Sequence, residues 1–275
     1  MAKVMVIDVT KCNGCYNCQI ACKDEHVGND WAPIAKPQPD TGQFWWRIEE
    51  HVRGQLPKVK MAYMHHVCQH CDNAPCIAAC RSNAIYKRED GAVIIDPTKC
   101  TGQRLCMDAC PYGVIYFSEA MHLAQKCTWC AHLLDRGWKE PRCVDACPTG
   151  ALSFGEEKDL KDLIARGELL KPEAEVGPRT YYIGIPRRFI AGAVYDPEAD
   201  ECLEGVAVTL KDSGGNKISY AKTDIFGDFW FEGLTVGTYG LSIEKEGYLP
   251  QKMDAVSTEK DINVGDIALY RDVKS

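Results

Sequence analysis

The sequence predicts an α+β protein in two parts, in which a cysteine-rich part with short strands and helices precedes an all-β sandwich or barrel. Three observations support this prediction. Fifteen of the 16 cysteines fall into four groups in the first two-thirds of the 275-residue chain, and only Cys202 lies outside them. Short apolar segments enter and leave these groups. Beyond residue 186, apolar and polar residues alternate in short runs between turn residues, as half-buried strands do.

Each cysteine group starts with two positions three residues apart and ends with two cysteines four residues apart. Four repeats of this spacing indicate iron–sulfur clusters, because a cubane cluster needs several thiolates converging on one small volume. Zinc sites and redox motifs share only the single C-x2-C pair, and a disulfide framework would require an oxidising compartment. The groups are Cys12, Cys15, Cys18 and Cys22; Cys68, Cys71, Cys76 and Cys80; Cys100, Cys106 and Cys110, with Gln103 where a fourth cysteine would fall; and Cys127, Cys130, Cys143 and Cys147.

The last cysteine of a group ligates the other cluster in two-cluster ferredoxins. We therefore expect the outer two groups to pair with each other, and the inner two likewise. The expected ligand sets are site 1 (Cys12, Cys15, Cys18, Cys147), site 2 (Cys22, Cys127, Cys130, Cys143), site 3 (Cys68, Cys71, Cys76, Cys110) and site 4 (Cys80, Cys100, Cys106 and whatever stands at Gln103).

Gln103 is the one departure from the pattern, because a neutral amide is a poor iron ligand beside a thiolate. Site 4 could hold a three-iron cluster, or a four-iron cluster with an outside ligand. It could also be empty, with its three cysteines buried as small apolar side chains. We expect it to be empty, which gives three [4Fe–4S] clusters.

The elements around the cysteines repeat along the chain. We expect a strand over Lys3–Val9, a short helix opening at Cys18–Cys22, and a strand within Ala92–Asp96 after a hairpin turn at Asp90 and Gly91. Further strands are expected over Val114–Phe117 and Ala151–Phe154. Because the unit of strand, cysteine loop and helix recurs, we predict two ferredoxin-like modules.

Residues 23–67 interrupt the modules, and we expect an irregular loop and a strand pair there. Its tryptophans, Trp31, Trp45 and Trp46, pack either on a partner subunit or in the core of the loop itself. The nearby histidines His65, His66 and His70 are expected to hydrogen-bond to sulfur or backbone rather than to bind metal.

A lysine directly precedes the first cysteine in three groups, at Lys11, Lys99 and Lys126. Clusters with four thiolates are anionic, so these cations either raise the reduction potential or are solvated surface lysines. The sequence does not distinguish these two roles.

The first domain is expected to span residues 1–185, with a helix over Glu156–Leu170 and a linker over 171–185. Residues 186–275 form the second, all-β domain. Its aspartates Asp196, Asp200, Asp224 and Asp228 are expected to serve turns rather than calcium. The expected strands are Phe189–Tyr195, Val206–Leu210, Ile218–Thr223, Phe229–Phe231, Tyr239–Glu244 and Asp266–Leu269.

Residues 1–185 resemble the four-cluster iron–sulfur subunits of molybdopterin oxidoreductases. The motifs that carry the resemblance are CNGCYNCQIACK, CQHCDNAPCIAAC, YKREDGAVIIDPTKC, ACPYG and KCTWCAHLLDRG…CVDACPTGALSFG. The resemblance implies electron transfer through the clusters and a heterodimer with a large catalytic subunit carrying molybdenum or tungsten bis-pterin (bis-MGD). It also implies that this chain has no catalytic residues of its own. The tail, with GVAVTLKD and TDIFGDFWFEGLTVGTYGLSIEKEGY, resembles a Cna-B or carboxypeptidase-regulatory sandwich.

Composition excludes some other functions. The net charge of −7 and the pI of about 5.6 are not those of a nucleic-acid-binding surface. No apolar run approaches 18 residues and no signal-peptide core is present, so we expect no membrane anchor in this chain and a cytoplasmic location. A free-standing polyferredoxin is the alternative, although the 23–67 insert and the sandwich argue against it. A sandwich that recruits another protein or a polysaccharide is a third hypothesis.

Overall fold

The structure, a computed structural model, describes residues 2–272, so the outermost ends of both predicted domains lie outside the described residues. The chain divides into two units. The first runs to His51 and then from Ala62 to Ile185; the second takes Val52–Met61 and the chain from Pro186 onward.

Helices of the first unit are short, since most of its residues lie in cysteine loops and small sheets. They are α1 (Asn17–His26), α2 (Pro75–Ala79), α3 (Leu105–Ala109), α4 (Ala131–Leu134), α5 (Arg142–Asp145) and α6 (Lys161–Arg166), with 3-10 turns at Val9–Lys11, Glu157–Asp159 and Pro172–Ala174. The strands in the chain up to Ile183 are β1 (Lys3–Asp8), β2 (Trp46–Gln55), β3 (Lys58–Val67), β4 (Ile85–Lys87), β5 (Val93–Ile95), β6 (Tyr116–Ser118), β7 (Leu123–Gln125), β8 (Leu152–Glu156) and β9 (Thr180–Ile183).

The central sheet of the first unit has the order β8-β1-β9. β1 pairs antiparallel with β8 and parallel with β9, and its residues from Val4 to Ile7 are almost completely buried. The prediction of a linker over 171–185 is wrong for its last residues, because Thr180–Ile183 form strand β9 of this sheet. Thr180 and Tyr182 of β9 are fully buried, and the Tyr182 hydroxyl donates a 2.9 Å hydrogen bond to the carbonyl of His65.

Two small antiparallel hairpins, β4–β5 and β6–β7, complete the sheets beside the cysteine loops. The helices pack in nested pairs, α1 against α5 and α2 against α3. The single helix expected over Glu156–Leu170 is wrong, because the start of this segment continues β8 and the helix stops at Gly167, whose backbone is extended.

The second unit is a β-sandwich. Its two sheets face each other across a core that includes Ile190, Leu210, Phe229 and Ile243. Its strands are β10 (Arg188–Asp196), β11 (Glu201–Cys202), β12 (Ala207–Lys211), β13 (Lys217–Lys222), β14 (Asp228–Leu234), β15 (Thr238–Glu244), β16 (Gln251–Ser257) and β17 (Ile262–Ala268). In one sheet β10 pairs with β11, β14 and β17; the other has the order β13-β12-β15-β16.

All six expected strands of the sandwich form, and the structure adds the two-residue β11 and the largely exposed β16. Asp196 and Asp224 serve turns, as expected, whereas Asp228 lies in β14 and forms an ion pair with Lys58. Asp196 accepts hydrogen bonds from the backbone N–H groups of Glu198 and Ala199. Asp224 likewise accepts a hydrogen bond from the backbone N–H of Phe226, two residues further along its turn.

The tip of the β2–β3 hairpin groups with the second unit, although the whole 23–67 insert is expected in the first domain. Charge pairing within the second unit explains this: Arg53 pairs with Asp261 at 3.3 Å, and Lys58 and Lys60 form ion pairs with acidic residues of β14. These pairings join residues far apart in sequence, which local patterns do not reveal.

Candidate metal centres

A backbone feature common to all four cysteine groups aims their first two positions at the same point. The residue just before the second position has a positive φ, at Gly14 (71°), His70 (46°), Gly102 (70°) and Trp129 (52°). A residue in the left-handed conformation reverses the local direction of the backbone, and glycine adopts this conformation at the lowest cost. A Cβ at Gly14 would lie 2.2 Å from the Tyr63 ring, so glycine is needed there for space as well. The loop before Gln103 thus keeps the backbone of the loops that carry a cysteine.

Site 1 brings together thiols from the two ends of the first unit. Burial raises the pKa of Cys18 to about 12, and the neighbouring Cys12, Cys147 and Cys15 add to the shift. Electrostatic coupling of this kind requires the four sulfurs to lie close together. Cys15 is exposed, so this site reaches the surface of the unit.

Site 2 is fully enclosed. Burial holds the pKa of Cys143 well above its usual range, and the next largest contributions come from Cys130, Cys127 and Cys22. α1 supplies Cys22 and α5 supplies Cys143, so the packing of these two helices assembles the site.

Site 3 surrounds a cavity of about 330 Å³, part of it open to solvent, whose lining includes all four of its expected cysteines. The pKa of Cys71 is raised to about 12, first by burial and then by the negative charges of the neighbouring thiolates Cys68, Cys76 and Cys110. The last of these comes from the end of α3, as the nested pairing predicts.

Site 4 also lies around a cavity, of about 340 Å³, lined by Cys80, Cys100, Cys106 and Gln103. The Ala124 N–H donates to the Cys100 sulfur at 3.5 Å. The three thiols therefore converge, and Gln103 occupies the fourth corner.

Cys80 of site 4 and Cys147 of site 1 have matching surroundings. A hydroxyl two residues on lies 3.6 Å from the Cys80 sulfur (Ser82) and 3.7 Å from the Cys147 sulfur (Thr149). Burial raises the pKa of both thiols, but these hydroxyls and the backbone N–H groups that follow outweigh it and leave both values below their usual range. Site 4 thus keeps a cradle of hydrogen-bond donors suited to a thiolate.

Neighbouring sites influence one another in the order site 1, site 2, site 3 and site 4. Cys18 of site 1 contributes to the raised pKa of Cys22 in site 2, after burial and nearer thiols. Cys68 of site 3 contributes to the raised pKa of Cys127 in site 2. Cys106 of site 4 likewise contributes to the raised pKa of Cys76 in site 3. Each site is therefore adjacent to the next.

The residues fit iron–sulfur clusters at sites 1 to 3. At each of these sites four thiols converge, and burial and neighbouring thiols raise the pKa of at least one of them, as at Cys18, Cys143 and Cys71. Four such thiols do not ionise together unless a cation balances their charge, and iron provides that charge. Site 4 offers three thiols, so its fit is incomplete.

Two of the three histidines, His65 and His70, behave as expected. His65 Nε2 lies 3.3 Å from the Cys12 sulfur, and His70 Nδ1 accepts the backbone N–H of Val93 at 2.9 Å. His66 Nε2 lies 2.6 Å from Glu49 Oε2, with His51 at 3.6 Å from the same oxygen. His66 therefore differs from the expectation, because its partner is a carboxylate. Glu49, His51 and His66 offer ligand atoms that lie within 4.8 Å of one another.

Two features of the site were not settled by the sequence. Trp45 and Trp46 are each 1% exposed, so core packing explains them. Among the three lysines, Lys11 and Lys99 are exposed, whereas Lys126 is 2% exposed and lies beside site 3. The shared Lys-Cys sequence carried no signal that would separate Lys126 from the others.

Within residues 2–272, no helix has the length and apolarity needed to cross a membrane.

Two families match the chain. Residues 59–157 match the 4Fe-4S dicluster domain, and residues 190–270 match the carboxypeptidase regulatory-like domain.

Curated relatives match most of the chain. It is 39% identical to the pyrogallol hydroxytransferase small subunit of Pelobacter acidigallici, over 96% of this chain and 98% of that protein. It is 34% identical to a tetrathionate reductase subunit of Archaeoglobus fulgidus, over 66% of this chain and 82% of that protein. It is 32% identical to the arsenate respiratory reductase iron–sulfur subunit of a Shewanella species, over 65% of this chain and 94% of that protein. A solved 5-hydroxyisourate hydrolase from Klebsiella pneumoniae matches 30% of this chain and 86% of its own at 19% identity and a TM-score of 0.26, which is too low to carry an argument.

Proposed function

Because this chain belongs to the iron–sulfur subunits of molybdopterin oxidoreductases, we propose that it is the electron-transfer subunit of a pyrogallol hydroxytransferase. The relative from Pelobacter acidigallici, matched over 98% of its length, supports this choice within the family. The observation that carries the proposal is the series of four thiol sites, each adjacent to the next.

The cysteines of sites 1, 2 and 3 hold one [4Fe–4S] cluster each in this proposal, and site 4 is empty. Such clusters, when bound, take up and release one electron at a time. The chain's own contribution is to place the thiols in order, to exclude water around site 2, and to keep hydrogen-bond donors near the sulfurs.

The two nested helix pairs support two ferredoxin-like modules. The outer module combines α1 and α5 with the sheet β8-β1-β9, and the inner module combines α2 and α3 with the two small hairpins. Each module spans two of the four sites.

The catalytic partner in this proposal is a large subunit that binds molybdenum through bis-MGD, and this chain is the non-catalytic member of a heterodimer. The substrate site then lies entirely on the partner. The iron–sulfur subunits among the relatives support such an assembly.

We place the complex in the cytoplasm, since within residues 2–272 none of the 16 cysteines forms a disulfide, as is usual in a reducing compartment. Fractionation of native cells, with the chain followed by antibody, tests this; recovery outside the cytoplasmic fraction contradicts it.

The experiment that tests the function is anaerobic purification through a tag on this chain, followed by metal analysis and a pyrogallol turnover assay. A large subunit with molybdenum should co-purify with pyrogallol hydroxytransferase activity. Recovery of this chain alone, with iron but no partner, would instead favour the free polyferredoxin.

Hydroxyl transfer between phenols is redox-neutral overall, so the role of the clusters in turnover needs its own test. Cys76→Ser removes one ligand of site 3 from the middle of the series. Loss of turnover with the heterodimer intact supports an electron-transfer role; full turnover without the site 3 cluster supports a structural one.

A further inference from the structure

Lys126 is a buried cation held at the junction of sites 2 and 3. Its side chain is 2% exposed, and its ammonium donates hydrogen bonds to the carbonyls of Val93 and Cys127, the latter at 3.0 Å. Cys127 belongs to site 2, whereas the lining of the site 3 cavity includes Lys126 itself.

Lys126 lines the same cavity as the four cysteines of site 3. Burial raises the pKa of Cys76 to about 12, and the next largest contribution, from Lys126, opposes this rise by favouring the thiolate. Lys126 also contributes, after burial, to the lowered pKa of His70 on the neighbouring loop. The charge of Lys126 therefore acts on the wall of site 3.

A buried ammonium normally lies beside a carboxylate, because an uncompensated buried charge is costly. Within residues 2–272, no acidic side chain forms an ion pair with Lys126. Two of its three N–H donors are taken by carbonyls, and the anionic groups next to it are the thiolates of sites 2 and 3.

We propose that Lys126 is a positioning residue that raises the reduction potential of the cluster at site 3. The proposal rests on the proposed function, since it requires clusters at these sites. Reduction adds one negative charge to a group that is already anionic, and a fixed cation beside it stabilises that added charge. The interaction is little screened by salt because Lys126 is enclosed by protein.

The internal repeat supplies matched controls. Lys11 and Lys99 also precede the first cysteine of their groups, but their side chains are 54% and 62% exposed and lie near Asp8 and Asp96. Water and these carboxylates weaken their effect on the nearby sulfurs.

The test is a redox titration of the anaerobically purified holoenzyme, followed by electron paramagnetic resonance. Lys126→Gln keeps hydrogen-bond donors for the two carbonyls and removes the charge; Lys126→Arg keeps the charge. We expect Lys126→Gln to move one centre to lower potential, and Lys126→Arg, Lys11→Gln and Lys99→Gln to leave that centre close to its wild-type potential.

Unchanged potentials in Lys126→Gln, with wild-type iron content, would overturn the proposal and leave the proposed function standing. Lys126→Gln could instead lose the iron of one cluster. In that case, retention of this iron by Lys126→Arg supports the need for a charge at this position, and loss of the iron from Lys126→Arg as well overturns the proposal. Absence of clusters from the wild-type protein would overturn the proposed function as well, so the two failures are distinguishable.

Discussion

The Nε2 atom of His65 lies 3.3 Å from the sulfur of Cys12. The indole N–H of Trp46 donates to His65 Nδ1 at 3.0 Å, so Nδ1 is the acceptor and Nε2 carries the ring proton. Burial lowers the pKa of His65 to about 4, which keeps the ring neutral at pH 7. The imidazole is therefore an oriented N–H donor to a sulfur of site 1.

His65→Phe should lower the reduction potential of the site 1 cluster, because a hydrogen bond to a ligating sulfur stabilises the reduced, more negative state. A redox titration followed by electron paramagnetic resonance measures the shift. His51→Phe is the control, since His51 lies on the same hairpin with its side chain 41% exposed and contacts Glu49 rather than a sulfur. Equal potentials in His65→Phe and wild type would contradict this prediction.

Gln103→Cys should add a fourth thiol to site 4 and let it hold a [4Fe–4S] cluster. Gln103 lines the same cavity as Cys80, Cys100 and Cys106, and the positive φ of Gly102 already gives its loop the backbone of a ligand loop. Iron should rise by about four atoms per chain relative to wild type. Gln125→Cys is a control, because Gln125 is buried, does not line this cavity, and hydrogen-bonds to carbonyls of the 23–67 insert. No rise in iron, with the protein folded, counts against the prediction.

Local spacing predicted the thiol groups, because two positions three residues apart in a tight loop face the same point whatever the rest of the chain does. The alternating pattern predicted the sandwich strands for a similar reason. β9 was missed, since it becomes a strand only by pairing with β1, which lies far away in sequence. The burial of Lys126 was also unpredictable, because Lys11 and Lys99 share its local sequence. The binding of clusters by the grouped thiols stays a prediction.

Iron removal should unfold the first unit and spare the sandwich. Ligand cysteines such as Cys22, Cys68 and Cys76 form part of the buried cores of the first unit, whereas the sandwich core is made of aliphatic and aromatic side chains. Binding of metal therefore contributes to folding of the first unit only.

Hydrogen–deuterium exchange of the full chain before and after chelation measures this difference. Peptides from β1 and β8 should lose protection, and peptides from β10 and β15 should keep it. Retained protection in β1 after complete loss of iron would contradict the account.

Acid should weaken the sandwich around Asp196. Burial raises the pKa of this carboxyl, but the N–H groups of Ala199 and Glu198, the Arg271 guanidinium and the Tyr248 hydroxyl outweigh it and lower the pKa to about 2. A depressed folded-state pKa stabilises the fold above the unfolded value, near 3.8, and the contribution is lost as the pH falls through about 2.

Exchange at the Leu269 amide, which bonds to the Tyr195 carbonyl beside Asp196, reports this loss once it is corrected for intrinsic rates. Protection should fall between about pH 4 and pH 2 in wild type. Asp196→Asn should be less protected at pH 7 and lose the pH dependence, whereas Asp254→Asn on the exposed face of β16 should follow wild type. A flat wild-type profile across this window would contradict the assignment.

The most direct test of the central claim is the metal content of the native protein, purified without oxygen and expressed per copy of this chain. Three cubane sites on a subunit docked to its catalytic partner predict ~12 iron, ~12 acid-labile sulfide and about one molybdenum. Iron near ~16 would show that site 4 is filled and would contradict the three-cluster assignment. Iron without molybdenum or tungsten, on a chain that travels alone, would contradict the account of this protein as an electron-transfer subunit.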